Sequence, residues 1–176
     1  MGHSYGALLA VEAARLTPKI AGLLLYDPPM ISFGSDELPA GTVEQLEALV
    51  AQARRDEAVG WLLQRLGRSP AEVEVLRADP TWAGRVASIH TVAREMRAGG
   101  VEYRFDWSGF ENIQQPTLLL QGELSPARLR ASVAAIHALM PDSRVVTLEG
   151  QGHAALITAP NEVAAKVLKF LRSDRD

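Results

Sequence analysis

Two textures of hydrophobic patterning alternate along the chain. The first is a short, continuous apolar run, seen in Ile20-Ala21-Gly22-Leu23-Leu24-Leu25-Tyr26, in Thr117-Leu118-Leu119-Leu120-Gln121 and in Arg144-Val145-Val146-Thr147-Leu148. Runs of this length without polar alternation suit strands covered on both faces, as in a parallel sheet. Each run ends at residues that stop a strand: Asp27-Pro28-Pro29, Gly122 and Glu149-Gly150. Proline in particular cannot continue an interior strand, because it has no amide to donate. The pattern predicts three parallel strands near 20–26, 117–121 and 144–148, arranged in chain order with 117–121 in the middle.

The second texture is helical. Ala7 to Leu16 is an apolar helical stretch, and Arg128 to Met140 places Leu129, Val133, Ile136 and Leu139 on one stripe. Thr158-Ala159-Pro160 opens a final helix whose apolar positions are Val163, Val167, Leu168 and Leu171. The order helix, strand, long insertion, strand, helix, strand, helix is that of an open α/β sheet with right-handed crossovers.

The insertion, 35–109, has no strand of the buried kind. Thr42 to Arg55 carries Val43, Leu46, Leu49 and Val50, and Glu57 to Leu66 carries Trp61, Leu62 and Leu66. Ser69-Pro70-Ala71-Glu72 is a capping box with proline in the first turn. Val86, Ile89, Val92, Ala93 and Met96 line a last helix, which Gly99-Gly100 stops. A helical excursion between two sheet strands reads as a cap or lid over the strands' carboxyl ends, where open sheets bind ligands. Trp61 and Met96 fall within apolar stripes and read as cap core, Trp82 follows a turn, and Trp107 lies near the return to the sheet. The expected division is a core of 1–34 and 110–176 with a cap of 35–109.

Composition narrows the function. The 176 residues suffice for a sizeable core, and a net charge of −3 with interspersed lysines, arginines and acids argues against nucleic acid as a partner. With no cysteine, thiol catalysis, disulfides and thiolate metal sites are excluded, and a cytoplasmic location fits. No stretch approaches a membrane span, and the amino terminus has no signal core. No Gly-x-Gly-x-x-Gly after a strand and no phosphate-binding loop is present.

The candidate chemistry begins at the second residue. Gly2-His3-Ser4-Tyr5-Gly6 has the Gly-x-Ser-x-Gly pattern of a nucleophile elbow, a sharp strand-to-helix turn that lifts a serine hydroxyl above a sheet. The flanking glycines would let the turn tighten and the helix pack close, and the Tyr5 amide would point toward a developing oxyanion. The apolar helix follows, but no strand-length run precedes Ser4. On the pentamer alone, Ser4 could equally be an ordinary helix N-cap. His153, in Gly150-Gln151-Gly152-His153 just beyond the last strand, supplies a candidate general base. His3 reads as a neighbour of the elbow, His90 as structural or near the pocket mouth, and His137 has no assigned role.

Together these pieces resemble the α/β-hydrolase superfamily over nearly the whole chain. The resemblance rests on the Gly2–Gly6 pentamer, on Leu25-Tyr26-Asp27-Pro28-Pro29, on Pro116-Thr117-Leu118-Leu119-Leu120 with Gly122, and on Pro141-Asp142-Ser143-Arg144-Val145 leading to Gly152-His153. It implies a partial hydrolase fold corresponding to the family's carboxyl-terminal half. It also implies Ser4 as nucleophile, His153 as base, the Tyr5 amide as one oxyanion donor, and hydrolysis of an ester or related acyl bond in a small molecule, without a metal or an organic cofactor.

Two departures stand out. Where the family usually places its acid, beyond the glycine of its seventh strand, this chain has Gln121-Gly122-Glu123-Leu124-Ser125-Pro126, with Ser125 in the slot. The substitutes are Asp27, at the end of the strand before, and Glu123; Asp27 is preferred because its short side chain leaves a strand end directly. Secondly, the family's earlier strands and its other oxyanion loop have no counterpart, so impaired activity is expected, whether the chain is a fragment of a longer hydrolase, begins late at an internal Met, or is completed by a second polypeptide. The 20–26 strand would then show an open edge, inviting a homo-oligomer or another pairing chain. The rival readings are a non-catalytic binding or scaffold module and a cofactor enzyme of the same superfamily, such as a metal-free oxygenase or a haloperoxidase-like member.

Overall fold

The computed structural model describes residues 1–29, 40–66, 68–98, 109–140 and 142–173. The three apolar runs become strands β2 (Leu23–Tyr26), β3 (Thr117–Gly122) and β4 (Ser143–Leu148). A further strand, β1 (Gly2–His3), precedes the first helix. All pairings are parallel and the order is β1-β2-β3-β4. Among the described residues the sheet therefore has four strands rather than the expected three. Gly2 and His3 pair with Leu25 and Tyr26, so the edge expected to be open on β2 is partly covered. A two-residue strand contains no repeat of the side-chain alternation, so no hydrophobic pattern could have announced it.

Helices α1 (Tyr5–Leu16) and α6 (Ala127–Leu139) make the crossovers from β1 to β2 and from β3 to β4. They pack on the sheet through residues such as Ala7, Val11, Val133 and Ile136, all buried. The opposite face carries Tyr26, Leu118, Leu120 and Leu148, which pack with Val163 and Phe170 of α8 (Pro160–Ser173). A short helix, α7 (Ala155–Thr158), precedes α8. Because both faces of β2 and β3 are covered, their sequences are apolar without alternation.

Two stripes differ from expectation. In α8, Val163 and Phe170 are buried and Val167 packs partly buried against the same cluster, whereas Leu168 and Leu171 are nearly half exposed. Spacings of four and three residues keep 163, 167 and 170 on one face, and 168 and 171 lie one position further round. In α6, Met140 just past the helix end closes the stripe in place of Leu139, which is exposed.

The chain divides into two compact units, Met1–Ser32 with Phe105–Asp176, and Phe33–Arg104. The second contains α2 (Thr42–Ala51), α3 (Arg55–Arg65), α4 (Pro70–Arg77) and α5 (Trp82–Ala98) around its own core of Leu46, Leu49, Val59, Leu62 and Ile89. Ser69 and Glu72 form the reciprocal capping box: Glu72 N donates to Ser69 Oγ, and Ser69 N donates to Glu72 Oε2. Trp61 and Met96 pack against this core, half-buried. Trp82 is buried and its indole donates to Asp56 Oδ1 at 2.7 Å. Gly99-Gly100 and Trp107 lie outside the described residues.

Candidate active site

Every candidate residue lies just past the carboxyl end of a strand. Ser4 follows β1. Its amide donates to the Tyr26 carbonyl at 3.0 Å, and its carbonyl accepts from Ala7 N at 2.8 Å as α1 begins. Its backbone has φ 53° and ψ −127°, a strained conformation for a residue with a side chain. Ser4 occupies the N-cap position, but its side chain makes no capping hydrogen bond. The tension of a sharp strand-to-helix turn is thus present, and the ordinary cap function is not. The turn depends on Gly2: a Cβ there would lie 2.2 Å from the Gly6 carbonyl oxygen and 2.6 Å from Ala7 Cα. Gly6 differs from expectation, because a Cβ at that position would meet no atom within 4 Å among the described residues. The Tyr5 amide opens α1, where the leading N–H groups have no intrahelical acceptor.

Asp27 follows β2. Its amide donates to the Leu120 carbonyl, its φ is 44°, and it is fully buried. Its Oδ2 accepts from His153 Nδ1 at 3.0 Å and from Ser125 Oγ at 2.5 Å. Oδ1 is buried without a hydrogen-bond partner among the described residues. The His153 tautomer is fixed by this contact: Nδ1 carries the proton toward the carboxylate, and Nε2 is left to take a proton from a nucleophile. Asp27, His153 and Ser125 are therefore linked by hydrogen bonds, a Ser-His-acid type of arrangement in which the serine touching the acid is Ser125. Ser4 Oγ and His153 make no hydrogen bond with one another among the described residues.

Glu123 follows β3 but points elsewhere. Its Oε2 accepts from Gly150 N at 2.8 Å, bracing the loop that carries His153. Three further contacts hold that loop. Leu124 N donates to the Gln151 carbonyl at 2.8 Å, the Tyr26 hydroxyl donates to the Gly152 carbonyl at 2.5 Å, and His3 Nε2 donates to the His153 carbonyl at 2.9 Å. The His3 and His153 rings lie 4.6 Å apart, so His3 does sit beside the elbow. Close approach of the loop needs Gly122, where a Cβ would lie 2.4 Å from the Gln151 carbonyl oxygen. Burial, reinforced by the neighbouring Asp27 charge, pushes the Tyr26 hydroxyl up to about 12.

Sequence reasoning missed Ser125 and Tyr26 as members of the site. The signal for Ser125 was its slot, a position where a carboxylate was expected. Tyr26 had none, since an aromatic residue at the end of an apolar run reads as core. His90 donates from Nδ1 to the Ala87 carbonyl in α5, and His137 is hydrogen-bonded to Ser143 Oγ. Among the described residues no group of three or more His, Asp or Glu side chains could hold a metal ion.

The family model described as "Alpha/beta hydrolase family" matches residues 1–166. The chain belongs to the α/β-hydrolase family. A solved α/β hydrolase from Sphaerobacter thermophilus DSM 20745 is 31% identical, with a TM-score of 0.82 over 97% of this chain and 65% of that one. A hydrolase from Pseudomonas aeruginosa PA01 is 23% identical, with a TM-score of 0.69 over 97% of this chain and 63% of that one. MenH from S. aureus is 19% identical, with a TM-score of 0.61 over 99% of this chain and 68% of that one. The last two share the fold alone. The chain spans just under two thirds of the length of the Sphaerobacter and Pseudomonas proteins. No curated protein matches it. No helix among the described residues of this α/β-hydrolase is long and apolar enough to cross a membrane.

Proposed function

We propose that the protein is a serine hydrolase acting on an ester or related acyl bond of a small molecule. Ser4 attacks the acyl carbon, and His153 Nε2 takes its proton and returns it to the leaving group. Asp27 orients the imidazole and stabilises its charged form, and the Tyr5 amide is one donor to the oxyanion. Water then repeats the sequence on the acyl-enzyme. The observation that carries this reading is the buried Asp27 carboxylate 3.0 Å from His153 Nδ1, on the strand end adjacent to the strained Ser4 turn. Glu123, occupied by Gly150 N, is a brace rather than the acid in this reading.

We read the chain as the carboxyl-terminal portion of the family's fold, which its 65% span of the Sphaerobacter protein supports. The second oxyanion amide would then come from residues outside this sequence, and its loss alone is worth about 3 kcal/mol of transition-state stabilisation. β1, at the edge of the sheet, is where a further strand would add, whether from the same polypeptide or a second copy. The helical unit interrupts the chain between β2 and β3, both of which lead into candidate site residues; this supports reading it as a cap or lid. The lack of cysteine supports a cytoplasmic setting.

The test is a paired assay with short-chain activated esters, on this chain and on a longer polypeptide extended upstream. Weak hydrolysis by the first and strong hydrolysis by the second is expected. Equal activity would refute the need for the extension. Inactivity of both across esters, amides and lactones would favour a binding module.

A further inference from the structure

We propose that Ser125 is a positioning residue for the acid: its hydroxyl holds the Asp27 carboxylate in the orientation that receives the His153 ring. The inference rests on the Asp27–His153 reading above and adds a residue to it. Ser125 is 1% exposed, and its Oγ donates to the same oxygen, Oδ2, that accepts His153 Nδ1. The other carboxylate oxygen has no partner among the described residues. The terminal torsion of an aspartate is broad, so a single imidazole contact would leave the carboxylate free to rotate. A second donor on the same oxygen removes that freedom.

Ser125 is itself anchored. Its amide donates to the Gly122 carbonyl at 3.1 Å, and its carbonyl accepts from Arg130 Nη1. The absence of a side chain at Gly122 makes room for it, since a Cβ there would lie 2.7 Å from Ser125 Oγ. The residue type also follows from the neighbour. A carboxylate at position 125 would face Asp27 at hydrogen-bonding range, and two like charges that close cannot both ionise; a hydroxyl donates to the acid without adding charge. Ser125 is a poor candidate for nucleophile, because it is buried and its proton goes to the acid and not to the base.

The test uses the 176-residue chain and the low-field proton resonance of the His153 Nδ1–H, identified by its loss in Asp27→Asn. In Ser125→Ala, with far-UV circular dichroism unchanged, that proton is expected to exchange with water about tenfold faster, the size set by one hydrogen bond to a charged group. Ser125→Cys, with a weaker donor of similar shape, should fall between, and it carries the test if the alanine variant does not fold. Unchanged position and exchange of the resonance in both variants would overturn the inference. Failure of the hydrolase reading is read separately: an unreactive Ser4 with a resonance that responds to Ser125→Ala rejects the chemistry and leaves the positioning role standing.

Discussion

Asp27 and Glu123 differ in what their oxygens already hold. Asp27 is fully buried at a strand end and accepts the hydrogen bonds of both His153 and Ser125 on one oxygen, while Glu123 spends an oxygen on the Gly150 amide. Asp27→Asn should therefore reduce the rate of ester hydrolysis by about 10⁴-fold, by presenting the imidazole with the wrong tautomer partner. Glu123→Gln, which keeps a carbonyl oxygen for Gly150 N, should change the rate by less than about threefold, one weak hydrogen bond's worth. A large loss from Glu123→Gln with little from Asp27→Asn would reverse the assignment. The choice between these two carboxylates was only half readable from the sequence. Both follow strands that apolar runs made obvious, but which one meets His153 depends on loop geometry with no local signature.

Tyr26 gives a second prediction at the same scale. Its hydroxyl is pushed up to about 12 by burial and by Asp27, from an unfolded value near 10. The folded state therefore holds the proton more tightly than the unfolded chain. Its stabilising contribution is complete below about pH 10 and is lost as pH rises toward 12. Urea unfolding across that alkaline range should show stability falling in the native protein. Tyr26→Phe should be less stable near neutrality, through loss of the bond to the Gly152 carbonyl, and should show a shallower alkaline decline.

At the scale of elements, the loop 150–153 matters most. Four successive residues are each held through a backbone group, by Glu123, Leu124, Tyr26 and His3 in turn. The glycines sort by the same geometry. Gly122→Ala would force a Cβ against the Gln151 carbonyl and should destabilise the protein by about 1–3 kcal/mol in urea unfolding, the usual cost of overpacking. Gly6→Ala, in the first turn of α1 with open space beside it, should be neutral or stabilising by up to about 1 kcal/mol through helix propensity. A destabilising Gly6→Ala would mean that another surface packs there. The capping box of α4 and the stripes of α2 and α5 were readable because they repeat or carry fixed chemistry over a turn or more. β1 was not, because two residues contain no period, and Phe170 was displaced from the expected α8 stripe by one position.

On the scale of the whole molecule, each of the two compact units has its own core, and the candidate chemistry lies entirely in the sheet unit. The break in texture at the insertion was visible in the sequence because buried strands disappear from it. The fold family was visible because several short motifs fall in the right order. Substrate choice was not visible: it depends on side chains brought together from separate segments. The central claim is that Ser4 is a nucleophile activated by His153. Its most direct measurement is labelling with a fluorophosphonate followed by peptide mass spectrometry, on the native chain and on His153→Ala. The account predicts a single adduct on Ser4 that forms slowly in the native chain and is abolished in His153→Ala. An adduct on Ser125, or labelling of Ser4 that is unaffected by loss of His153, would contradict it.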